Sequence, residues 1–262
     1  MAKPKTSHKP VVLSIAGFDP SSGAGITADI KTIAAHKCYG ISCITALTVQ
    51  STRGVLRMDP VEGRIITETV EELAIDFDIA AVKIGMVGSA EGGRAVAAFL
   101  RRNRPRHVVL DPILKSSSGA EMISKDGLEF LKERLLPLAR VVTPNIAEAA
   151  VLTGLDVNNV EQMNDAALRL QRMGAEGVII TGGHLDPPLD LVVQKGHAAV
   201  ILEGKKISSP STHGTGCAFS TSVACNLAKG KSLLQAARAA KKYVETALLK
   251  PISLGTGIGP LV

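Results

Sequence analysis

Short apolar, β-branched runs alternate along the chain with longer stretches whose apolar positions recur at helical spacing. The runs are VVLSIAG (11–17), ISCITALTV (41–49), IAAVKIG (79–85), HVVLD (107–111), VVTPN (141–145) and GVIITGG (177–183). Each reads as a buried strand. Between them the spacing predicts helices over 24–36, 63–75, 92–102, 125–136 and 160–173, and two more follow over 216–228 and 233–248. Such alternation predicts an α/β fold of three αβα layers, with a central, mostly parallel sheet between helices on both faces. LVVQKGHAAVIL (191–202) breaks the rhythm, because two β-like runs surround a Lys195-Gly196 turn with no helix between them. It predicts a late hairpin at the sheet edge.

The 262 residues suffice for one large α/β domain over 1–262, with no repeat and no linker to divide it. Residues 1–10 are basic and proline-containing without an apolar core, and read as a frayed terminus rather than a secretion signal. No apolar run approaches the roughly 20 residues of a membrane span, so a cytoplasmic protein without a membrane partner is expected. The four cysteines form no CxxC pair and read as reduced thiols. A net charge of +6 would suit a polyanion, but with no Trp, two Tyr and five Phe the chain lacks stacking platforms for bases. Small anionic substrates are expected, and nucleic acid is not.

In an open parallel sheet, ligands gather beyond the carboxyl ends of the strands. GFDPSSGAG (17–25) follows the first strand with a glycine-rich loop of neither Walker nor GxGxxG spacing. Asp29, one turn into the next helix, reads as an ordinary solvated helix residue. Asp111, at the end of a buried strand before Pro112, is costly without a partner or a metal. In TPNIAE, Asn145 can cap a helix that carries Glu148 in its first turn, where a carboxylate ordinarily just complements the dipole. Together Asp111 and Glu148 could hold a hydrated Mg²⁺ beside phosphate oxygens.

The stretch HGTGC (213–217) leads into a helical pattern, so the backbone N–H groups of Gly214, Thr215, Gly216 and Cys217 should bunch at a helix N-terminus and make an anion hole. The same terminus should lower the Cys217 pKa and make its thiolate a base near neutral pH. Cys225, deep in the helix, reads as a small core residue, and His213 as a loop residue.

The segments IAGFDPSSGAGITADIKT, GISCITALTVQST, KIGMV, VVLDPILKSSSGA, TPNIAEAAVLTG, GGHL, THGTGCAFS and GTGIGP together resemble, in order and spacing, the hydroxymethylpyrimidine/phosphomethylpyrimidine kinases of the ribokinase-like fold. The resemblance implies an ATP- and Mg²⁺-dependent kinase, a homodimer, that phosphorylates 4-amino-5-hydroxymethyl-2-methylpyrimidine and then its monophosphate for thiamin biosynthesis. It places Cys217 as the base where sugar-kinase relatives keep an aspartate, and Gln50 on the pyrimidine's ring nitrogen and amine. Gly17, Asp29, Met86 and Ile113 are implied around the pyrimidine, and Thr143, Asn145, Thr181 and Gly183 around the nucleotide. The chain departs from the family at Thr181, where a lysine is usual, at Ser21-Ser22-Gly23 and at Ala218-Phe219-Ser220. A pyridoxal-type kinase and a non-catalytic pyrimidine-binding regulatory protein stay open as alternatives.

Overall fold

A computed structural model describes residues 9–116, 119–183, 185–252 and 254–261. Its strands are β1 (Val11–Phe18), β2 (Tyr39–Ser51), β3 (Gly54–Pro60), β4 (Ile79–Ile84), β5 (Val108–Leu110), β6 (Val141–Val142), β7 (Gly177–Gly182), β8 (Leu189–Gln194) and β9 (Val200–Glu203). They form one sheet in the order β3-β2-β1-β4-β5-β6-β7-β8-β9. From β2 through β7 the neighbours run parallel, while β3, β8 and β9 pair antiparallel. The expected hairpin at Lys195-Gly196 is β8–β9 and lies at the sheet edge.

Alternation along the central strands sorts side chains to two faces. Leu13, Ile15, Val82, Ile84 and Leu110 share one apolar core with α2 (Gly63–Asp76), α3 (Ala90–Asn103), α5 (Ile146–Thr153) and α6 (Val160–Arg172). Val12, Ala81 and Val109 face α1 (Gly25–Ala35), α7 (Thr215–Ala228) and α8 (Leu233–Leu248). Cap side chains set several of these helix starts: Ser89 for α3, Asn159 for α6 and Ser232 for α8 each accept from a first-turn N–H.

Two elements depart from the sequence expectation. The second strand is thirteen residues long and turns straight back as β3, a strand that the apolar pattern does not mark. The helix expected over 125–136 is α4 (Lys125–Phe130) followed by a π-helical turn (Leu131–Leu135) and a 3₁₀ turn (Leu136–Leu138), because Pro137 offers no N–H to continue the ladder. Among the described residues no helix is long and apolar enough to cross a membrane.

Chain order reverses direction across the sheet between β1 and β4. Connections leaving the carboxyl ends of these strands diverge and open a crevice there. The candidate site lies in it.

Candidate active site

A cavity of about 550 Å³ sits over the carboxyl ends of β1, β4, β5, β6 and β7. It falls in the usual range for small-ligand pockets, about 300–1,000 Å³. Gly214 begins α7 in the left-handed region at φ 84°, where a Cβ would stand 1.8 Å from the Gly23 carbonyl oxygen. Glycine is therefore required. The turn aims the first amides of α7 into the cavity, and Gly214, Thr215, Gly216 and Cys217 all line it.

Below them lies a charged layer on the face of the sheet covered by α1 and α7. The Lys83 ammonium is 2.9 Å from Asp29 Oδ2 and 3.8 Å from Asp111 Oδ2. Ser14 Oγ donates to Asp29 Oδ2 at 2.5 Å, and Thr221 Oγ1 to Asp29 Oδ1 at 2.7 Å. Burial alone would lower the Lys83 pKa, but the Asp29 carboxylate, then Cys217 and Asp111, raise it on balance. Asp29 is thus not the solvated helix residue expected from the sequence: it has no exposed surface, lies outside the cavity lining and serves as the buried partner of Lys83.

Cys217 lines the cavity but is only 6% exposed. Burial pushes its thiol up to about 12, against the pull of Lys83 and a Gly25 backbone hydrogen bond, with Asp111 and Asp29 adding to the rise. That rise runs against the thiolate expected from the helix terminus. Desolvation dominates, because the side chain is buried and the Asp111 and Asp29 carboxylates add to its effect.

Asp111 and Glu148 both line the cavity. Asp111 accepts from Ser220 Oγ at 2.9 Å, and burial raises its pKa. Glu148 is raised to about 8 by burial and then by the Asp111 charge, although it accepts from the Asn145 N–H at 2.9 Å. Asn145 returns that bond to the Glu148 N–H, completing a capping box. Two carboxyl groups that repel each other at a cavity wall suit a divalent cation, whose charge would relieve both.

At the other end, Gln50 reaches in from β2. Its carboxamide lies 3.1 Å from Thr48 Oγ1 and 3.2 Å from His213 Nε2. His213 Nε2 is also 2.8 Å from Asp19 Oδ2. Its backbone is held from both sides by the chain's tail, donating to the Gly259 carbonyl at 3.1 Å and accepting from the Leu261 N–H at 3.0 Å. Gly23 makes room for the ring, since a Cβ there would meet His213 Cδ2 at 2.1 Å. Met86 and Ile113 supply an apolar wall, and Gly17 packs under Met86.

Of the residues singled out in the sequence, Gly17, Gln50, Met86, Asp111, Ile113, Thr143, Asn145, Glu148, Thr181, Gly214, Thr215, Gly216 and Cys217 line this one cavity. Gly183 is exposed beyond β7 and outside that lining. Ser117 and Ser118 of the DPILKSSSGA stretch, and His184 of GGHL, lie outside the described residues. Sequence reasoning missed Lys83, Asp19 and the buried placement of His213. A lysine in the middle of the apolar run IAAVKIG was the available signal for the first.

A family model described as phosphomethylpyrimidine kinase matches residues 19–262. The chain belongs to the phosphomethylpyrimidine kinase family. It is 41% identical over 254 residues to a hydroxymethylpyrimidine/phosphomethylpyrimidine kinase of Haemophilus influenzae, covering 95% of this chain and 94% of that one. A bifunctional thiamine biosynthesis protein of Geobacter sulfurreducens is 42% identical over 252 residues, or 95% of this chain, which spans 51% of that longer protein. Among solved structures, a phosphomethylpyrimidine kinase from Clostridium difficile superposes with a TM-score of 0.82 at 35% identity, covering 91% of this chain and 99% of that one. An ADP complex of Bacillus subtilis pyridoxal kinase superposes with a TM-score of 0.87 at 31% identity, covering 96% of each. The ribokinase-like fold expected from the sequence is borne out by these neighbours.

Proposed function

We propose that the chain is an ATP-dependent kinase that phosphorylates 4-amino-5-hydroxymethyl-2-methylpyrimidine to its monophosphate and then to the diphosphate, for thiamin biosynthesis. The observation that carries this reading is the convergence, in one cavity, of an amide-lined helix start, a buried thiol and a carboxamide able to read a heterocycle edge.

In this reading Gln50 grips the pyrimidine edge while Met86 and Ile113 clasp its faces and Gly17 closes the floor. Its hydroxymethyl group then lies toward Cys217. The Gly214–Cys217 amides receive the transferring phosphoryl group, where preorganised N–H dipoles offset charge that grows in the transition state. A new bond forms from the alcohol oxygen to the γ-phosphorus as the bond to the ADP oxygen breaks. Because the free thiol sits near 12, Cys217 works by orienting the hydroxyl rather than as a preformed thiolate. The alcohol proton, made acidic as the new bond forms, passes to an oxygen of the transferring phosphoryl group, and Lys83 beneath keeps the layer from accumulating uncompensated negative charge.

Thr143, Asn145 and Thr181 line the side assigned to ATP, and Gly183 is retained only as a backbone neighbour of that side. Asp111 and Glu148 would hold Mg²⁺, which when bound supplies charge neutralisation to the phosphates. Thr181, in place of a family lysine, leaves one positive charge fewer there, so the second phosphorylation is the slower. The chain works as a single kinase domain over 1–262 in the cytoplasm, where ATP is supplied. Exposed Leu47, Val49 and Leu56 on the β2–β3 hairpin support a homodimer through that face.

The similarity to pyridoxal kinases gives the second reading, in which the same cavity takes a B6 vitamer. Coupled ADP release with the pyrimidine alcohol and with pyridoxal separates the two: kcat/KM should favour the pyrimidine, and preference for pyridoxal would overturn the first reading.

A further inference from the structure

The tail segment GTGIGP (255–260) is tied to two elements of the site. The Gly257 N–H donates to Thr52 Oγ1 at 3.2 Å and the Ile258 N–H to the Thr52 carbonyl at 2.9 Å, which fixes the tail to the β2–β3 turn. The Gly259 N–H donates to the Pro210 carbonyl at 3.0 Å, and the Gly259 carbonyl accepts from the His213 N–H at 3.1 Å, which fixes it to the approach to α7. The packing is close enough to demand glycine on both sides of Ile258. A Cβ at Gly257 would stand 2.0 Å from the Thr52 carbonyl oxygen, and one at Gly259 would stand 2.7 Å from Ser211 Oγ. The backbone is thus held at Ile258 and at both of its neighbours, and the β-branched side chain adds stiffness of its own.

That side chain stands between two cavities. Ile258 lines the main site and, with Gln50, Ser116 and His213, also lines a smaller cavity of about 110 Å³ bounded further by Thr52, Arg53 and Gly257. The smaller cavity is several times a water molecule's share of the liquid, about 30 Å³. None of Gly214, Thr215, Gly216 and Cys217 lines it, so it lies on the Gln50 side of the site rather than at the anion hole. Of the four residues common to both cavities, Ile258 alone is apolar, and it is 38% exposed. An apolar side chain that a rigid backbone leaves open to a cavity is a surface for a ligand's apolar group to cover.

The pyrimidine carries one apolar substituent, the 2-methyl group, and the ring itself directs it. With the 5-hydroxymethyl group toward Cys217, the 2-position lies directly across the ring and points away from that thiol. With Gln50 on the 4-amine and the adjacent ring nitrogen, the 2-position is also the next neighbour of that nitrogen. The methyl group is thereby aimed at the wall beside Gln50, where Ile258 stands.

We propose that Ile258 is a specificity-determining residue: it is the wall on which the pyrimidine's 2-methyl group stops, and it keeps longer 2-alkyl chains out of the smaller cavity behind it. This rests on the reading of Gln50 and Cys217 as the groups that orient the pyrimidine.

The test is kcat/KM of the full-length protein for 4-amino-5-hydroxymethylpyrimidines that bear 2-methyl, 2-ethyl and 2-propyl groups. Wild type should lose about tenfold or more with each added methylene, the scale of one methylene against a fitted apolar pocket. Ile258→Ala removes the side chain beyond Cβ and opens the way into the smaller cavity, and should raise the 2-propyl to 2-methyl ratio by about a hundredfold. Ile258→Val shortens the wall by one carbon, and should admit the 2-ethyl compound while still rejecting the 2-propyl one. This keeps the test open if the alanine variant does not fold. A 4-methylamino analogue, enlarged at the Gln50 edge instead, should gain from neither substitution. Wild type indifferent to the length of the 2-substituent, ratios unmoved in the folded variants, or an equal gain for the 4-methylamino analogue overturns the wall alone. Wild-type protein that phosphorylates none of these pyrimidines overturns the function reading, and the wall with it.

Discussion

Lys83 and Asp29 form an ion pair of 2.9 Å in which neither side chain has any surface exposed to solvent. The pair joins strand β4 to helix α1 directly beneath Cys217. Ser14 and Thr221 satisfy the remaining carboxylate lone pairs. Such a pair adds little net stability relative to a well-packed apolar substitute, but removing one member strands a buried charge. Lys83→Met leaves both Asp29 and Asp111 without their cation, and should cost about 3–5 kcal/mol in urea unfolding. A loss below about 1 kcal/mol would mean that water or rearranged neighbours already compensate the carboxylates.

The buried thiol makes a second expectation. Because Cys217 is pushed up to about 12, alkylation of this residue in the free protein, followed by peptide mass spectrometry, should show no inflection between about pH 6 and 9, the window in which an activated thiolate would titrate. An inflection near neutrality would restore the thiolate that the helix terminus suggested. Orientation of the hydroxyl also predicts a graded loss of turnover. Cys217→Ala should lower kcat by about a hundredfold and Cys217→Ser by about tenfold, since the serine hydroxyl still guides the alcohol.

His36 contributes a pH dependence far from the site. Its Nε2 is buried and has no hydrogen-bond partner among the described residues. Burial, and then the charges of Lys229 and Lys231, hold its pKa down at about 4. Unfolded histidine titrates near 6.5. A depressed folded pKa means that the stability contribution is complete above about 6.5 and is lost as pH falls toward 4, because only the unfolded chain takes up the proton there. His36→Phe, which preserves the ring contact with Tyr243, should flatten the unfolding free energy between those limits by up to about 1.4 kcal/mol per pH unit. Parallel pH profiles for the variant and wild type would contradict this.

Much of this architecture is legible in the chain because its central strands are buried on both faces. Continuous runs such as VVLSIAG and GVIITGG are too short for buried helices of ordinary length and rich in β-branched residues, and they lead to β1 and β7 with their ends within a residue. The β2–β3 hairpin is less legible, since GVLRMDP is half exposed at a sheet edge and carries no period that separates it from a loop. At the site, glycines and a helix start mark where anions can sit, whereas side-chain protonation depends on what lies behind each group. The terminus of α7 argued for an ionised Cys217, but Asp29 and Asp111 approach it from other elements. Asp29 looked solvated because its own helix gives no hint that Lys83, 54 positions later, points at it across the sheet. Likewise the Asp19–His213 contact spans 194 positions and has no local signature.

The central claim is that this cavity moves phosphoryl groups onto a hydroxymethylpyrimidine. Its most direct test is mass-spectrometric identification of the products after incubating the protein with ATP, Mg²⁺ and 4-amino-5-hydroxymethyl-2-methylpyrimidine. The account predicts the monophosphate first and the diphosphate later and more slowly; an unchanged alcohol, with pyridoxal phosphorylated instead in a parallel incubation, would contradict it.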